Sequence, residues 1–279
     1  MAGNLDVRWH AGVAPGNLDP DPPIQVHAYR PDTIILRQNK SVHYEAPFLF
    51  LLFGTDIALL LDTGATADPA LFPLRATVDG LIDDWLITHP KPGYRLLVAH
   101  THSHDDHIAA DGQFADRAAT TVVGTRLADV ITYYGLLDWP AGRAEIDLGG
   151  RIVDVLPGPG HQVAATVFYD RATHIMFAGD SLLRGRLYVF DWPAYAATVR
   201  NLVAFGADSP VSHVLGCHIE MSRTAGEDYP LGSTYQPDEA PLELSASHLD
   251  ELNNAVHQVD NRPGVHPFDD FIIYNFQPR

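Results

Sequence analysis

The sequence predicts an α/β fold. Short apolar runs of strand length alternate with stretches of helical periodicity, twice over, once before and once after about residue 150. Several of those runs end in a histidine or an aspartate with glycine close by, where a strand gives way to a loop. The chain is 279 residues long and 46% hydrophobic, enough for one large domain or two small ones.

Taken in order, residues 1–23 are rich in Gly, Pro and Asp and read as an irregular N-terminal arm. The domain proper runs over 24–279, with 221–279 as a C-terminal extension. Residues 48–53 and 57–61 flank Gly54-Thr55-Asp56 and predict a hairpin of buried strands. Val78, Leu81, Ile82, Trp85 and Leu86 stand at helical spacing and predict a helix over 77–87. Residues 94–99 read as a buried strand, 120–123 as a short strand and 125–137 as a helix. Strands are expected at 151–155, at 175–178 and just before His218. The helix expected over 193–205 has Asp191 to cap it and Pro193 in its first turn. A last helix over 247–259, capped by Ser245 or Ser247, and a strand over 271–274 complete the chain. No short-period repeat is visible.

The most informative stretch is Thr101-His102-Ser103-His104-Asp105-Asp106-His107, which places three imidazoles and a carboxylate in an H-x-H-x-D-H pattern. Neutral imidazole and carboxylate are the ligands that zinc and similar divalent metals prefer. Side chains of one six-residue turn point in different directions, so a single metal rarely takes all four. Two metals are simpler: His102 and His104 reach one, Asp106 and His107 the other. A solvated His-rich loop is the bland alternative. It loses ground because His161, Asp180 and His218 each follow a later apolar run and supply further ligands. Asp180 has two oxygens with which to bridge.

These residues carry a family resemblance. The chain resembles the metallo-β-lactamase superfamily of hydrolases over roughly residues 45 to 220. Asp62, in Leu59-Leu60-Leu61-Asp62-Thr63-Gly64, is similar to the first motif of that family. The H-x-H-x-D-H segment is similar to the second motif, and His161, Asp180 and His218 to the third, fourth and fifth. The resemblance implies a four-layer αββα sandwich, the metallo-β-lactamase fold, with the metal site at one edge of the two sheets. It implies two Zn2+ per chain, with Fe or Mn able to take the same places. His102, His104 and His161 would bind the first metal and Asp106, His107 and His218 the second, with Asp180 bridging. Asp62 would support the ligands without binding metal. Two stretches depart from the commoner pattern, Ile108-Ala109-Ala110-Asp111-Gly112 after the second motif and Gln162-Val163-Ala164 after the third. They bear on the substrate rather than on the metals.

The expected chemistry is binuclear hydrolysis by a metal-bridging hydroxide, with Asp106 as the catalytic carboxylate that orients the nucleophile or relays a proton. By resemblance, a carboxylate at Asp180 marks hydroxyacylglutathione hydrolases, lactonases and phosphodiesterases, so the expected substrate is an ester-like bond: thioester, lactone or ester. β-Lactamase or phosphodiesterase activity is the alternative, and an iron-dependent sulfur dioxygenase-type redox enzyme a further one. No substrate-binding residue is identified by pattern, although Tyr188, Tyr229 and Tyr235 follow ligand motifs and can donate hydrogen bonds.

Composition narrows the partners. A formal charge of −17, from 35 acidic and 18 basic residues, argues against nucleic acid and for a small-molecule substrate. No apolar stretch reaches transmembrane length, so no membrane partner is expected. Cys217 is the only cysteine, which precludes an intrachain disulfide and fits a reducing compartment, the cytoplasm. No leader-like segment opens the chain, although a secreted protein stripped of its leader would look the same. Oligomeric state is not written in the pattern. Cys217 precedes His218 and is expected to face away from it as a small buried side chain, by strand alternation. His100 reads as a packing or supporting residue, and His89 and His174 as surface groups. His248, His257 and His266 have no ligand spacing. Tyr133, Tyr134 and Trp139 read as packing.

Overall fold

Residues 48–53 have no polar face, so the strand they form must be covered on both sides. In the computed structural model, which describes residues 3–276, this strand stands inside a sheet with all six residues buried. The chain divides into two compact units.

The first unit holds the chain up to residue 124, together with 146–152 and 231–237. Its sheet runs in sequence order: β1 (Ile24–Arg30), β2 (Thr33–Gln38), β3 (Phe48–Phe53), β4 (Ile57–Leu61), β5 (Arg95–Ala99) and β6 (Thr120–Val122). The first four strands pair antiparallel, including the expected β3–β4 hairpin. Helix α1 (Leu74–Thr88) then makes the crossover that allows β5 to lie parallel to β4. It buries Leu74, Val78 and Ile82, one per turn, and begins three residues before the apolar pattern does, directly after Pro73. Because β4 and β5 are parallel and pair Leu61 with Ala99, both strands end at one edge. Asp62 and His100 therefore leave the sheet side by side. A four-residue helix, α2 (Asp105–Ile108), follows within the histidine motif. Arg151 is buried here. Its guanidinium donates to the Phe53 carbonyl (3.1 Å) and to Thr33 Oγ1 (2.7 Å), and the strand expected from 151 starts at Ile152. Residues 3–23 carry no helix or strand, and Gly12 makes an isolated bridge to Tyr235.

The second unit holds 125–145, 153–230 and the chain from 238. Helix α3 (Leu127–Tyr134) stops earlier than expected, at Gly135 in the left-handed region. Next come β7 (Ala144–Asp147), β8 (Ile152–Pro157), β9 (Thr166–Asp170), β10 (Ile175–Gly179) and β11 (Arg186–Val189). They are followed by α4 (Trp192–Asp208), β12 (His213–Gly216), β13 (Glu243–Leu244), α5 (Ser247–Val259), β14 (Gly264–Pro267) and β15 (Ile272–Asn275). The main sheet has the order β13-β12-β10-β9-β8-β7, and β11-β15-β14 form a small third sheet. Strand β10 is parallel to β12 and antiparallel to β9, which is antiparallel to β8. Hence β8, β10 and β12 all end at the same edge, where His161, Asp180 and His218 follow them.

Asp191 caps α4 as expected, accepting from the Ala194 N–H at 3.1 Å. Helix α5 has no serine side-chain cap. Ser245 Oγ lies 2.9 Å from His248 Nδ1 and Ser247 Oγ donates to Glu251, so the backbone carbonyls of Ser245 and Ala246 start the helix instead. Helices α4 and α5 share the unit's core, with Tyr195, Leu202, Leu252 and Phe271 among its buried members. No helix among the described residues is long and apolar enough to cross a membrane.

Candidate metal centre

In the first unit the site grows from Asp62. Its carboxylate has no exposed surface, so it needs donors on both oxygens. Oδ1 accepts from the Thr101 N–H at 2.7 Å, and Oδ2 from the Thr101 hydroxyl at 2.7 Å and from His107 Nδ1 at 2.9 Å. The backbone reaches this position with φ of +63° at Asp62, a conformation that Asp and Asn tolerate better than other non-glycine residues. An ionised carboxylate only accepts, so His107 carries its proton on Nδ1 and keeps the Nε2 lone pair for a metal. That Nε2 lies 3.2 Å from Asp106 Oδ2.

His104 is extended, and the helical turn of α2 begins at Asp105. This change of backbone direction separates the pair His102 and His104 from the pair Asp106 and His107. His102 Nε2 and His104 Nδ1 stand 3.0 Å apart with their rings edge to face. Ring nitrogens at that distance can hydrogen-bond to each other or share a cation, since zinc–nitrogen bonds of about 2.0–2.1 Å bring ligand atoms to roughly this spacing.

His100 reads from the sequence as a packing or supporting residue. It is buried and meets Asp111 Oδ1 at 2.9 Å, which also accepts from Thr63 Oγ1 at 2.7 Å. Thr101 and Asp111 brace these side chains, and sequence reading did not single them out. The signal for Thr101 was indirect: a buried Asp62 at a strand end demands donors from the neighbouring strand end.

In the second unit, His161 Nδ1 donates to the Tyr188 carbonyl at 2.7 Å, which again reserves Nε2. Gly160 lets the chain turn there: at φ of +137°, a Cβ would stand 2.4 Å from Tyr195 Cα. His161 Nε2 lies 3.6 Å from Asp180 Oδ2, and His218 Nε2 lies 3.6 Å from Asp180 Oδ1. These distances exceed ordinary hydrogen bonds. Each oxygen of one carboxylate faces a different imidazole.

In the same unit, the Arg186 guanidinium bonds Glu220 Oε1 at 2.8 Å and Asp228 Oδ2 at 2.6 Å. Burial pushes the Glu220 carboxyl up, and Arg186 opposes that. Burial likewise pushes the Tyr188 hydroxyl up to about 12, so it is neutral at physiological pH. Tyr229 Oη accepts from the Asp238 N–H at 2.8 Å, and Tyr235 lies in the other unit, beside the N-terminal arm. Cys217 is fully buried. Strand β12 ends at Gly216, however, so strand alternation does not reach the Cys217–His218 pair and says nothing of where the thiol faces.

His89 and His174 are exposed, as expected. His248 is a buried partner of Asp270 at 3.0 Å, and the Arg184 guanidinium also pairs with Asp270. His248 and Arg184 thus meet different oxygens of the Asp270 carboxylate.

The sequence profile of the Metallo-beta-lactamase superfamily matches residues 47–252. A hydroxyacylglutathione hydrolase of Rhizobium meliloti (strain 1021) is 24% identical over 219 residues, covering 74% of this chain and 77% of that protein. One from Mesorhizobium japonicum is 24% identical over 175 residues, covering 60% of this chain and 62% of that protein. Among solved structures, a metallo-beta-lactamase from Pontibacter korlensis superposes with a TM-score of 0.55 at 16% identity, over 84% of this chain and 99% of that one. The metallo-beta-lactamase FIM-1 from Pseudomonas aeruginosa, in its mono-zinc form, gives 0.55 at 17% identity, over 88% and 99%. At these identities the structural likeness establishes a shared α/β fold.

Proposed function

This chain belongs to the metallo-β-lactamase superfamily and is a metal-dependent hydrolase, and from that premise we propose that it holds two zinc ions and cleaves an ester-like bond: thioester, lactone or ester. His102, His104 and His161 are assigned to one metal, and Asp106, His107 and His218 to the other, with Asp180 shared. The observation that carries the binuclear reading is Asp180, with one oxygen toward His161 and the other toward His218, each at 3.6 Å. Bound there, the metals supply the Lewis acidity that makes water a nucleophile near neutral pH and polarises a scissile carbonyl.

The chain's own residues do the rest. Asp62 and the Tyr188 carbonyl fix the tautomers and ring planes of His107 and His161. Asp106, partly exposed beside His107, orients the nucleophile and takes up its proton at Oδ. No serine, cysteine or lysine nucleophile is required, so no acyl-enzyme is expected.

The ester-like preference rests on Asp180, a carboxylate shared with hydroxyacylglutathione hydrolases by resemblance, and on the relatives so named. It is tested by kinetics of the zinc-loaded protein on a lactone, a thioester, an aryl ester, a phosphodiester and a cephalosporin. The best ester-like substrate should exceed the cephalosporin at least about tenfold in kcat/KM, roughly 1.4 kcal/mol of transition-state binding. A cephalosporin turned over faster than every ester, thioester and lactone overturns the proposal.

A further inference from the structure

Four aromatic side chains gather beside His161. Strands β11 and β15 are parallel and place Tyr188 opposite Tyr274, with ring centroids 5.2 Å apart. Two residues further along each chain come Phe190 and Phe276, stacked at 5.3 Å and 14°. Tyr188 also stacks on Phe276, at 5.8 Å and 25°. The face begins at the metal ligand itself: the Tyr188 carbonyl holds His161 Nδ1, and the Phe190 ring lies 6.0 Å from the His161 ring.

Two of these rings stay open to solvent. Phe190 is 52% exposed and Phe276 is 43% exposed, although both are large and apolar. Val163, two residues after His161 in a stretch that departs from the family pattern, is 57% exposed. Large exposed apolar side chains gathered at a polar site mark a surface that something apolar covers. Its continuity with a metal ligand identifies that occupant as part of the substrate.

We infer that Tyr188, Phe190, Tyr274 and Phe276 form the platform for the substrate's apolar substituent. The substrate class is thereby an ester, thioester or lactone bearing an alkyl or aryl chain, rather than one whose remote part is strongly polar. This inference rests on the hydrolase reading above and deepens it.

Two measurements test it on the full zinc-loaded chain. The first is calorimetric titration with straight-chain carboxylates from acetate to decanoate, which needs no turnover. Affinity should rise about three- to fourfold per methylene laid on the platform, and the rise should flatten in the double variant Phe190→Ala/Phe276→Ala. The second is kcat/KM for two ester series, one lengthened in the acyl part and one in the alcohol. At least one series should climb with chain length in the wild type and flatten in the double variant. Leu137→Ala, which removes an exposed apolar side chain elsewhere, should keep both slopes. An affinity that does not depend on chain length, or a slope that survives the double substitution, overturns the inference. If the carboxylates bind with the expected slope but no ester, thioester or lactone is cleaved, the platform stands and the reaction assignment falls.

Discussion

Asp62→Asn is the sharpest probe of how the first unit prepares its ligands. The substitution keeps volume, and Asn tolerates the φ of +63° as Asp does, so backbone strain is held constant. What changes is one oxygen for an NH2. In the native site Oδ1 accepts from the Thr101 N–H, and Oδ2 from the Thr101 hydroxyl and His107 Nδ1–H. If the amide turns its NH2 toward Thr101 N, two donors confront each other in a fully buried place. If it turns the NH2 toward His107, the imidazole must move its proton to Nε2 and lose the lone pair assigned to the metal. An unsatisfied buried donor costs about 1–3 kcal/mol, and loss of such a supporting bond lowers metal affinity roughly 10–100-fold. We therefore expect weaker zinc binding at one of two sites, by about 1.4–2.7 kcal/mol, and an apo-protein that is less stable by about 1–3 kcal/mol. Competition against a chromophoric chelator measures the first and denaturant melts the second. Two zinc ions bound with wild-type affinity would refute the claim that Asp62 fixes the His107 tautomer.

Further outcomes follow from the same geometry. Elemental analysis at saturating zinc should give two metals per chain, and chelation should lower the melting temperature because metal binds the folded state; one metal at saturation contradicts the assignment of Asp180 as shared. Asp180→Ala should lose a metal and at least about 100-fold in kcat, whereas a variant that keeps both would show that His161 and His218 need no shared carboxylate. Arg151→Met leaves the Phe53 carbonyl and Thr33 Oγ1 without their buried donor, and should destabilise by roughly 2–4 kcal/mol with zinc stoichiometry unchanged, as read by urea melts. Burial raises the hydroxyls of Tyr188, to about 12, and of Tyr195, which donates to the Ser181 carbonyl. For Tyr188 the folded pKa lies above the unfolded value of 10.0, so its contribution is complete below pH 10 and is lost as pH rises through 12; a melting temperature that stays flat across this window contradicts it.

The apolar runs and their endings were legible in the sequence because a buried strand and a helix stripe each impose a period on hydrophobicity, and because imidazole and carboxylate are chemically conspicuous at strand ends. The β3–β4 hairpin, α4 with its Asp191 cap and the ligand types at 102–107, 161, 180 and 218 follow from those local rules. Other features depend on partners distant in the chain. Parallel pairing of β4 with β5 sets Asp62 against Thr101, and no spacing announces it. Hydrogen bonds to Asp111 and the Tyr188 carbonyl decide how His100 and His161 are held. Ser245 and Ser247 look like caps for α5, yet His248 and Glu251 engage their hydroxyls. The aromatic platform arises because β11 and β15, which begin 86 residues apart in number (186 and 272), pair in a small sheet of low periodic signal. Sequence alone thus determined which chemistry the chain carries, since that resides in residue types and their place at strand ends. Tertiary structure decided which tautomers, supports and apolar faces accompany that chemistry, since those arise from pairings between segments whose separation no local pattern encodes.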